Sequence, residues 1–480
     1  LNYNELVIDA AREMGADYAD IRIQRTKTER IYLRNLSLKE TAQNEIYGYG
    51  IRVFLNGAWG FAHSNVFHKD QLYKTLKRAF AIAHESARIK HGDGLKLATE
   101  RGYIDSYKTS YKEDPFSIPI SDKVEMMIEV NKTMLNYDKI KQALFLLETR
   151  KDEKRFLSTL GSDLSLETLY IEPMITATAI TPQDSQSRMF HEGGKATGWE
   201  WISSLDLFDK AKLVAEEAII KVEADSLGPE ERRTLILDPM HIALTMHESI
   251  GHPTELDRVL GWEADFAGIS FATPEKLKNF KYGAKLVNFV ADNTLEGGLA
   301  TNGYDDDGVP NQKWYIIKNG LLNEYGTTRE TAPLIGLDMS RGCNRATHYF
   351  DFPINRIPNL YLEPGKENLS PQELISDTND GVYIEGRGSF SIDQHRVNFQ
   401  FGGDMFWEIK NGKKIRPLKK VIYKSNNPEF WNSVDAICDQ RFFKTMGITN
   451  CGKGQPGQRG RMTHGGAVTR FRKIRVGGSR

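Results

Sequence analysis

The twenty residues from Thr234 to Pro253 constrain the fold more than any other part of this 480-residue chain. They dictate a strand, a turn into a helix, and a forced break of that helix. Thr234-Leu235-Ile236-Leu237 reads as a strand, Asp238 as an N-cap and Pro239 as the first helical residue, followed by an apolar helical surface of Met240, Ala243, Leu244 and Met246. The helix then meets His247-Glu248-Ser249-Ile250-Gly251-His252, two imidazoles with a carboxylate beside the first, the parts from which zinc hydrolases are made. At roughly 100° per residue, five steps carry His252 about 140° round from His247, too far for both rings to meet one ion. With Gly251 and Pro253 flanking His252, the helix is expected to widen into a π-type turn or to end there. Glu248 is then placed to act as a general base on a metal-activated water rather than as a ligand.

The residues before this segment read as alternating helices and strands. Asn4 to Met14 has helical periodicity and stops at Gly15, and Ala19 to Arg34 alternates as a strand pair would. Ile51 to Phe61 is a hairpin about Asn56-Gly57, whose residues tolerate the positive φ of a tight turn. Amphipathic helices are expected over Gln71 to Ile89, with Leu72, Leu76, Phe80 and Ala83 on one stripe, and over Lys123 to Leu135. Strands at Ala143 to Thr149 and Ser165 to Thr178 and a helix from Leu207 to Val222 complete an α+β domain over residues 1–226, an antiparallel sheet with long packed helices. Leu227-Gly228-Pro229 opens a charged linker through Arg233. Residues 234–480 are expected to form a mainly β domain carrying the metal-binding helix. Its signals are turns at Asn319-Gly320 and Asn411-Gly412, a short helix at Pro371 to Ser376, and two or three sheets.

Charge and hydropathy narrow the partners. Lys plus Arg equal Asp plus Glu at 64 each, so no global field draws the chain to nucleic acid, and no apolar run is long enough to span a membrane. Three cysteines make a disulfide framework improbable and point to a reducing, cytoplasmic compartment. Export after removal of an N-terminal signal is the alternative, since the chain begins at leucine. Cys343 and Cys438 read as core thiols, and Cys451 lies among glycines that suit a loop approaching a site closely. Asp305-Asp306-Asp307 lacks the spacing of a calcium loop and reads as a turn. Gly386-Arg387-Gly388 reads as a strand connection. The pairs Trp199-Trp201 and Phe406-Trp407 read as core, and Arg459, Arg461, Arg470, Arg472, Lys473 and Arg475 as a solvated edge strand.

Several motifs together resemble a known family. Leu235-Ile-Leu-Asp-Pro239 leading into His247-Glu-Ser-Ile-Gly-His252, then Asp305-Asp-Asp-Gly-Val-Pro310, Leu362-Glu-Pro-Gly365, Cys451-Gly-Lys-Gly-Gln455 and Val476-Gly-Gly478 look like the TldD/PmbA metalloproteases. Tyr47-Gly-Tyr-Gly-Ile-Arg-Val-Phe54 fits the same pattern, and the H-E-x-x-x-H motif places the resemblance in the TldD branch. The resemblance implies one Zn2+ per chain bound by His247, His252 and Cys451, with Glu248 as general base. It also implies a short or unfolded peptide substrate held as an added β-strand, and a dimer with an identical or a PmbA/TldE-like subunit. Glu255, Asp257 and His464 are other donors within the chain for the third metal position. The reading set against the peptidase is a non-catalytic peptide-binding scaffold with a structural metal, which normally takes four protein ligands.

Overall fold

The computed structural model describes residues 3–89, 94–190 and 192–478. In the first half, α1 (Tyr3–Glu13) precedes β1 (Tyr18–Arg34), β2 (Ser37–Leu55), β3 (Ala58–Ser64), α2 (Lys69–Ile89) and β4 (Ile104–Lys108). Then come α3 (Ile120–Leu135), β5 (Ile140–Ser158), β6 (Asp163–Ile180), β7 (Ser185–Phe190), α4 (Trp199–Ser204) and α5 (Leu207–Glu223). The strands form one sheet in the order β3-β2-β1-β5-β6-β4, with β7 also on β6. All neighbours are antiparallel except β4 on β6.

The expected strand pair at Ala19 to Arg34 is instead the single 17-residue β1, paired along its length with β2 on one side and β5 on the other. Period-two alternation continues through it without a turn residue, so nothing in the backbone stops the strand. The hairpin turn is where it was expected, with Asn56 and Gly57 at φ 49° and 79°. Helices α1 and α2 bury one stripe against the β1–β3 end, Leu72, Leu76 and Ala83 among them. Helices α3 and α5 cover the other end through Met127, Val130, Val214 and Ala218. The half-buried Trp199 and Trp201 pack against this second core, as expected of core aromatics.

The second half is mainly β. A ten-stranded sheet contains β9 (Glu231–Leu237) between Asp380–Glu385 and Thr469–Gly478. β8 (Asp225–Ser226) adds to its margin, so the expected linker is bracketed by strands and its last three residues, Glu231 to Arg233, belong to β9. A six-stranded sheet runs from Leu321–Leu322 through Lys313–Lys318, Phe289–Asp292, Leu360–Leu362 and Gln458–Gly466 to the outermost strand, Lys444–Lys453. Phe406 and the buried thiols Cys343 and Cys438 belong to the core of this half. Burial pushes both thiols up to about 12.

The basic tail is not a solvated edge. Thr469–Gly478 is an interior strand of the ten-stranded sheet, and Arg470 is buried, its guanidinium on Asp435 and Asp377. Alternating charge marks a strand but does not say whether its edges are taken, and here both are. Ser479 and Arg480 lie outside the described residues.

The two halves meet through buried charge. The Asp305–Asp307 turn lies against the N-terminal sheet, where Arg52 of β2 bonds both Asp20 and Asp307, each contact under 3.0 Å, and Lys154 of β5 reaches Asp306 at 3.0 Å.

Candidate metal centre

α6 (Pro239–Met246) leaves the C-terminal end of β9 as the sequence dictates, Asp238 capping it by accepting from His241 N–H at 2.8 Å. At His247 the helix widens to a π-turn over His247–Gly251, followed by a 3-10 turn over His252–Thr254. The His252 N–H donates to the His247 carbonyl, the i to i+5 bond that sets the fifth residue above the first. Gly251 keeps ordinary helical dihedrals, so it does not supply the bend. A Cβ there would lie 2.9 Å from the Ile357 side chain, and close packing is what requires glycine.

A π-turn strands carbonyls that a regular helix would satisfy, and each orphan must find a partner. The Ser249 carbonyl accepts from Tyr282 Oη at 2.5 Å and Asn427 Nδ2 at 2.6 Å. The Thr254 hydroxyl donates to the Ile250 carbonyl at 2.7 Å and to that of Gly251 at 3.2 Å. Trp431 Nε1 holds Ser249 Oγ at 3.0 Å. The carbonyls of His247, Ser249, Ile250 and Gly251 are therefore hydrogen-bonded, and the distortion is built into the core.

The third donor arrives from the far end of the chain. Cys451 lies on the outermost strand of the six-stranded sheet, just past a register shift after Ile448 that re-aims the side chains. Its Sγ is 3.6 Å from His252 Nε2, and the ligand atoms of His247, His252 and Cys451 all lie within 4.8 Å of one another. Zinc bonds of about 2.3 Å to sulfur and 2.0–2.1 Å to nitrogen require donors spaced on this scale, so the residues fit that ion.

Supporting groups fix the outer nitrogens. His252 Nδ1 lies 2.8 Å from Glu255 Oε2, and His247 Nδ1 lies 2.8 Å from His464 Nε2, so each imidazole keeps Nε2 for the cluster. Glu255 and His464 therefore hold the two imidazoles rather than offer the third donor. Asp257 is likewise engaged elsewhere, accepting from Lys453 Nζ at 2.7 Å. Burial holds His247 and His252 below the ordinary imidazole value, which favours the neutral form a ligand needs. Burial alone would raise Cys451, but its pairing with His252 and the charge of Arg356 outweigh it and hold the thiol below its ordinary value. Glu255 is likewise lowered, since Lys453, His252 and Arg258 together outweigh its burial.

Glu248 is 5% exposed beside these donors, and Arg396 Nη1 donates to its Oε2 at 2.9 Å. Arg396 stands 148 residues away in sequence, on the loop before Asn398–Gly402, and no local signal announced it. Lys453 is also buried, bridging Glu255 at 3.2 Å and Asp257. Glu255 had a readable signal, three residues after His252 and thus on the same helical side.

Comparison with known proteins agrees with this architecture. Residues 230–478 match the PmbA/TldA metallopeptidase C-terminal domain, residues 19–83 its domain 1 and residues 113–224 its central domain. The chain belongs to the PmbA/TldD metallopeptidase family. A metalloprotease of Methanocaldococcus jannaschii is 28% identical over 93% of this chain and 94% of its own. The zinc metalloprotease TldD homolog of Saccharolobus solfataricus is 24% identical over 98% and 99%. TldE from Thermococcus kodakarensis superposes with a TM-score of 0.78 at 15% identity, covering 99% of this chain and all of that one, a likeness of fold. Among the described residues no helix is long and apolar enough to cross a membrane.

Proposed function

We propose that this PmbA/TldD-family protein is a zinc-dependent peptidase of the TldD branch acting on short or unfolded peptides. One zinc per chain is held by His247, His252 and Cys451. The observation that carries the reading is the convergence within 4.8 Å of two imidazoles set by a hydrogen-bonded π-turn and a thiol from the strand Lys444–Lys453. When bound, zinc polarises a scissile carbonyl and lowers the pKa of water to about 7.

The chain's own groups do the rest. Glu248 takes the proton of the attacking water and returns it to the leaving amine. Arg396 holds the carboxylate through Oε2, so proton transfer falls to Oε1. Glu255 and His464 keep the two rings oriented by holding their Nδ1 atoms. Lys444–Lys453, which carries Cys451, is the outermost strand of its sheet, and a substrate added beside it would gain main-chain hydrogen bonds with little sequence preference. The N-terminal domain, residues 1–226, closes over the domain formed by 234–480, and the protein works in the cytoplasm as a dimer with itself or a TldE-like subunit.

Metal analysis of the purified protein together with digestion of a random peptide library tests this reading. About one zinc per chain and cleavage are expected. Glu248→Gln should keep the metal while turnover falls by about 10²–10⁴. Absence of zinc, or full activity in Glu248→Gln, would overturn it.

A further inference from the structure

Behind the Cys451 strand, where the two halves of the chain meet, lies a cavity of about 60 Å³ lined by five cationic side chains, Lys154, Arg345, Arg356, Arg459 and Arg461, and one carboxylate, Asp152. Asp152 is already taken, accepting from Arg150 at 2.7 and 2.9 Å and from Gln24 at 3.0 Å. Lys154 is paired with Asp306. The remaining cations end differently, Arg356 buried and Arg345 and Arg461 half-buried. Arg356, 1% exposed, gives its Nη atoms to the carbonyls of Gln458 and Cys451 and leaves Nε without a partner. Arg345 donates to the carbonyls of Arg461 and Ile357. Arg461 stacks on Tyr170, its Nε also unpartnered.

Two guanidinium groups held by carbonyls rather than by carboxylates, Arg356 buried and Arg345 half-buried, make a costly arrangement. Burial, with the neighbouring charge of Arg356, pushes Arg345 down to about 10, while Tyr170 and Asp152 outweigh burial at Arg461 and hold it above its ordinary value.

The cavity abuts the strand that carries Cys451, since Arg356 lines it and donates to the Cys451 carbonyl. Gly460 sits directly across the hairpin from Cys451, so the two residues share a face of the sheet. A Cβ on Gly460 would lie 2.4–2.6 Å from the Arg356 guanidinium, which therefore covers that same face. Tyr170, Thr347, Arg459 and Arg461 line both this cavity and an open cleft of about 460 Å³ that includes Asn450, the neighbour of Cys451.

We infer that this cavity is a substrate subsite that receives a carboxylate of the bound peptide, either an acidic side chain or the C-terminal carboxylate. The inference rests on the peptidase reading above and names its substrate class. The cavity suits that group in size, since one water needs about 10–15 Å³ of such space and a carboxylate displaces only a few. Arginine forks match carboxylates in a bidentate geometry that carbonyl partners do not use up.

The test uses hexapeptides that carry Glu or Gln at each position in turn, each made with a free or an amidated C-terminus. Binding is measured by calorimetry on the zinc-loaded Glu248→Gln protein, which should not cleave them, and hydrolysis on the unmutated protein. At least tenfold tighter binding of a carboxylate-bearing peptide over its neutral counterpart is expected, and whether it follows the side chain or the terminus identifies the source. Arg345→Gln combined with Arg461→Gln should abolish the preference, while Arg461→Gln alone, at a half-buried site, should reduce it. Equal binding of acid and neutral peptides overturns the subsite while cleavage keeps the peptidase reading. A carboxylate preference without any cleavage supports the subsite and removes the peptidase. Binding of no peptide at all overturns both.

Discussion

Two buried charge networks in this molecule are built from the same residue types and end differently. Where the halves meet, Arg52 lies between Asp20 and Asp307, and Lys154 ends on Asp306, so each of these cations closes on a carboxylate. Around the π-turn the cations also close on carboxylates, Arg396 on Glu248, Arg258 on Glu255, and Lys453 on both Glu255 and Asp257. Yet in the middle of the second network two imidazole nitrogens and a thiol face one another. The first network is closed and holds two domains together. The second holds its members so that three donors stay free, and that difference separates a structural ion cluster from a site able to bind a metal.

Breaking each network at its centre should give opposite losses. His252→Ala removes a donor and, on the peptidase reading, should lower peptide hydrolysis by on the order of 10³–10⁴ and strip the metal, read by turnover and elemental analysis. Arg52→Met instead leaves Asp20 and Asp307 facing each other without their cation. It should destabilise the fold by about 3–5 kcal/mol in urea unfolding while turnover per folded molecule stays unchanged. An Arg52→Met protein that stays folded but loses turnover would show that the two networks are not separable.

A third experiment sharpens the contrast through pH. Glu330 stands in the first network, accepting from Trp59 Nε1 at 2.9 Å, and its burial, with the charge of Asp307 adding, pushes its carboxyl up to about 7. A carboxyl raised from 4.5 in the unfolded chain favours the folded state below about pH 4.5, and that contribution is lost as pH rises to about 7. Over those two to three units the loss is about 3 kcal/mol. Glu330→Gln stays neutral and can keep the Trp59 bond. It should be more stable than the native protein at pH 8 by up to about that amount and nearly equal to it at pH 4.5, as measured by urea unfolding. A native protein whose stability does not fall across this range would place Glu330 outside the buried network.

Much of this was written locally. The Asp238-Pro239 start, the hairpin turns at Asn56-Gly57, Asn319-Gly320 and Asn411-Gly412, each with positive φ at both residues, and the helix at Pro371–Ser376 depend on neighbours in sequence. The π-turn was legible because the histidine spacing admits few other ways for the rings to converge. What escaped was set by partners distant in the chain. Whether β1 is one strand or two, and whether Thr469–Gly478 is an edge, depends on which strands flank them, and alternation is the same in either case. Arg396 and Arg356 carry no pattern of their own, because each meets the site across about a hundred residues or more. Glu255 and His464 were visible as possible donors, but the choice between ligand and support is decided by which ring nitrogen they face.

The smallest expected effect tests that last distinction. Glu255 does two things for His252: it accepts at Nδ1, and with Lys453 and Arg258 it balances the charge around the ring. Glu255→Gln keeps an acceptor oxygen and loses the charge, whereas Glu255→Ala loses both. Groups that orient a metal ligand are worth about 10–100-fold in metal affinity, so Glu255→Ala should weaken zinc binding by that factor in a chelator competition. If orientation dominates, Glu255→Gln should stay within a few-fold of the native protein. If charge dominates, it should fall with the alanine variant. Equal zinc affinity in all three proteins would leave Glu255 no role beyond anchoring Lys453 and Arg258.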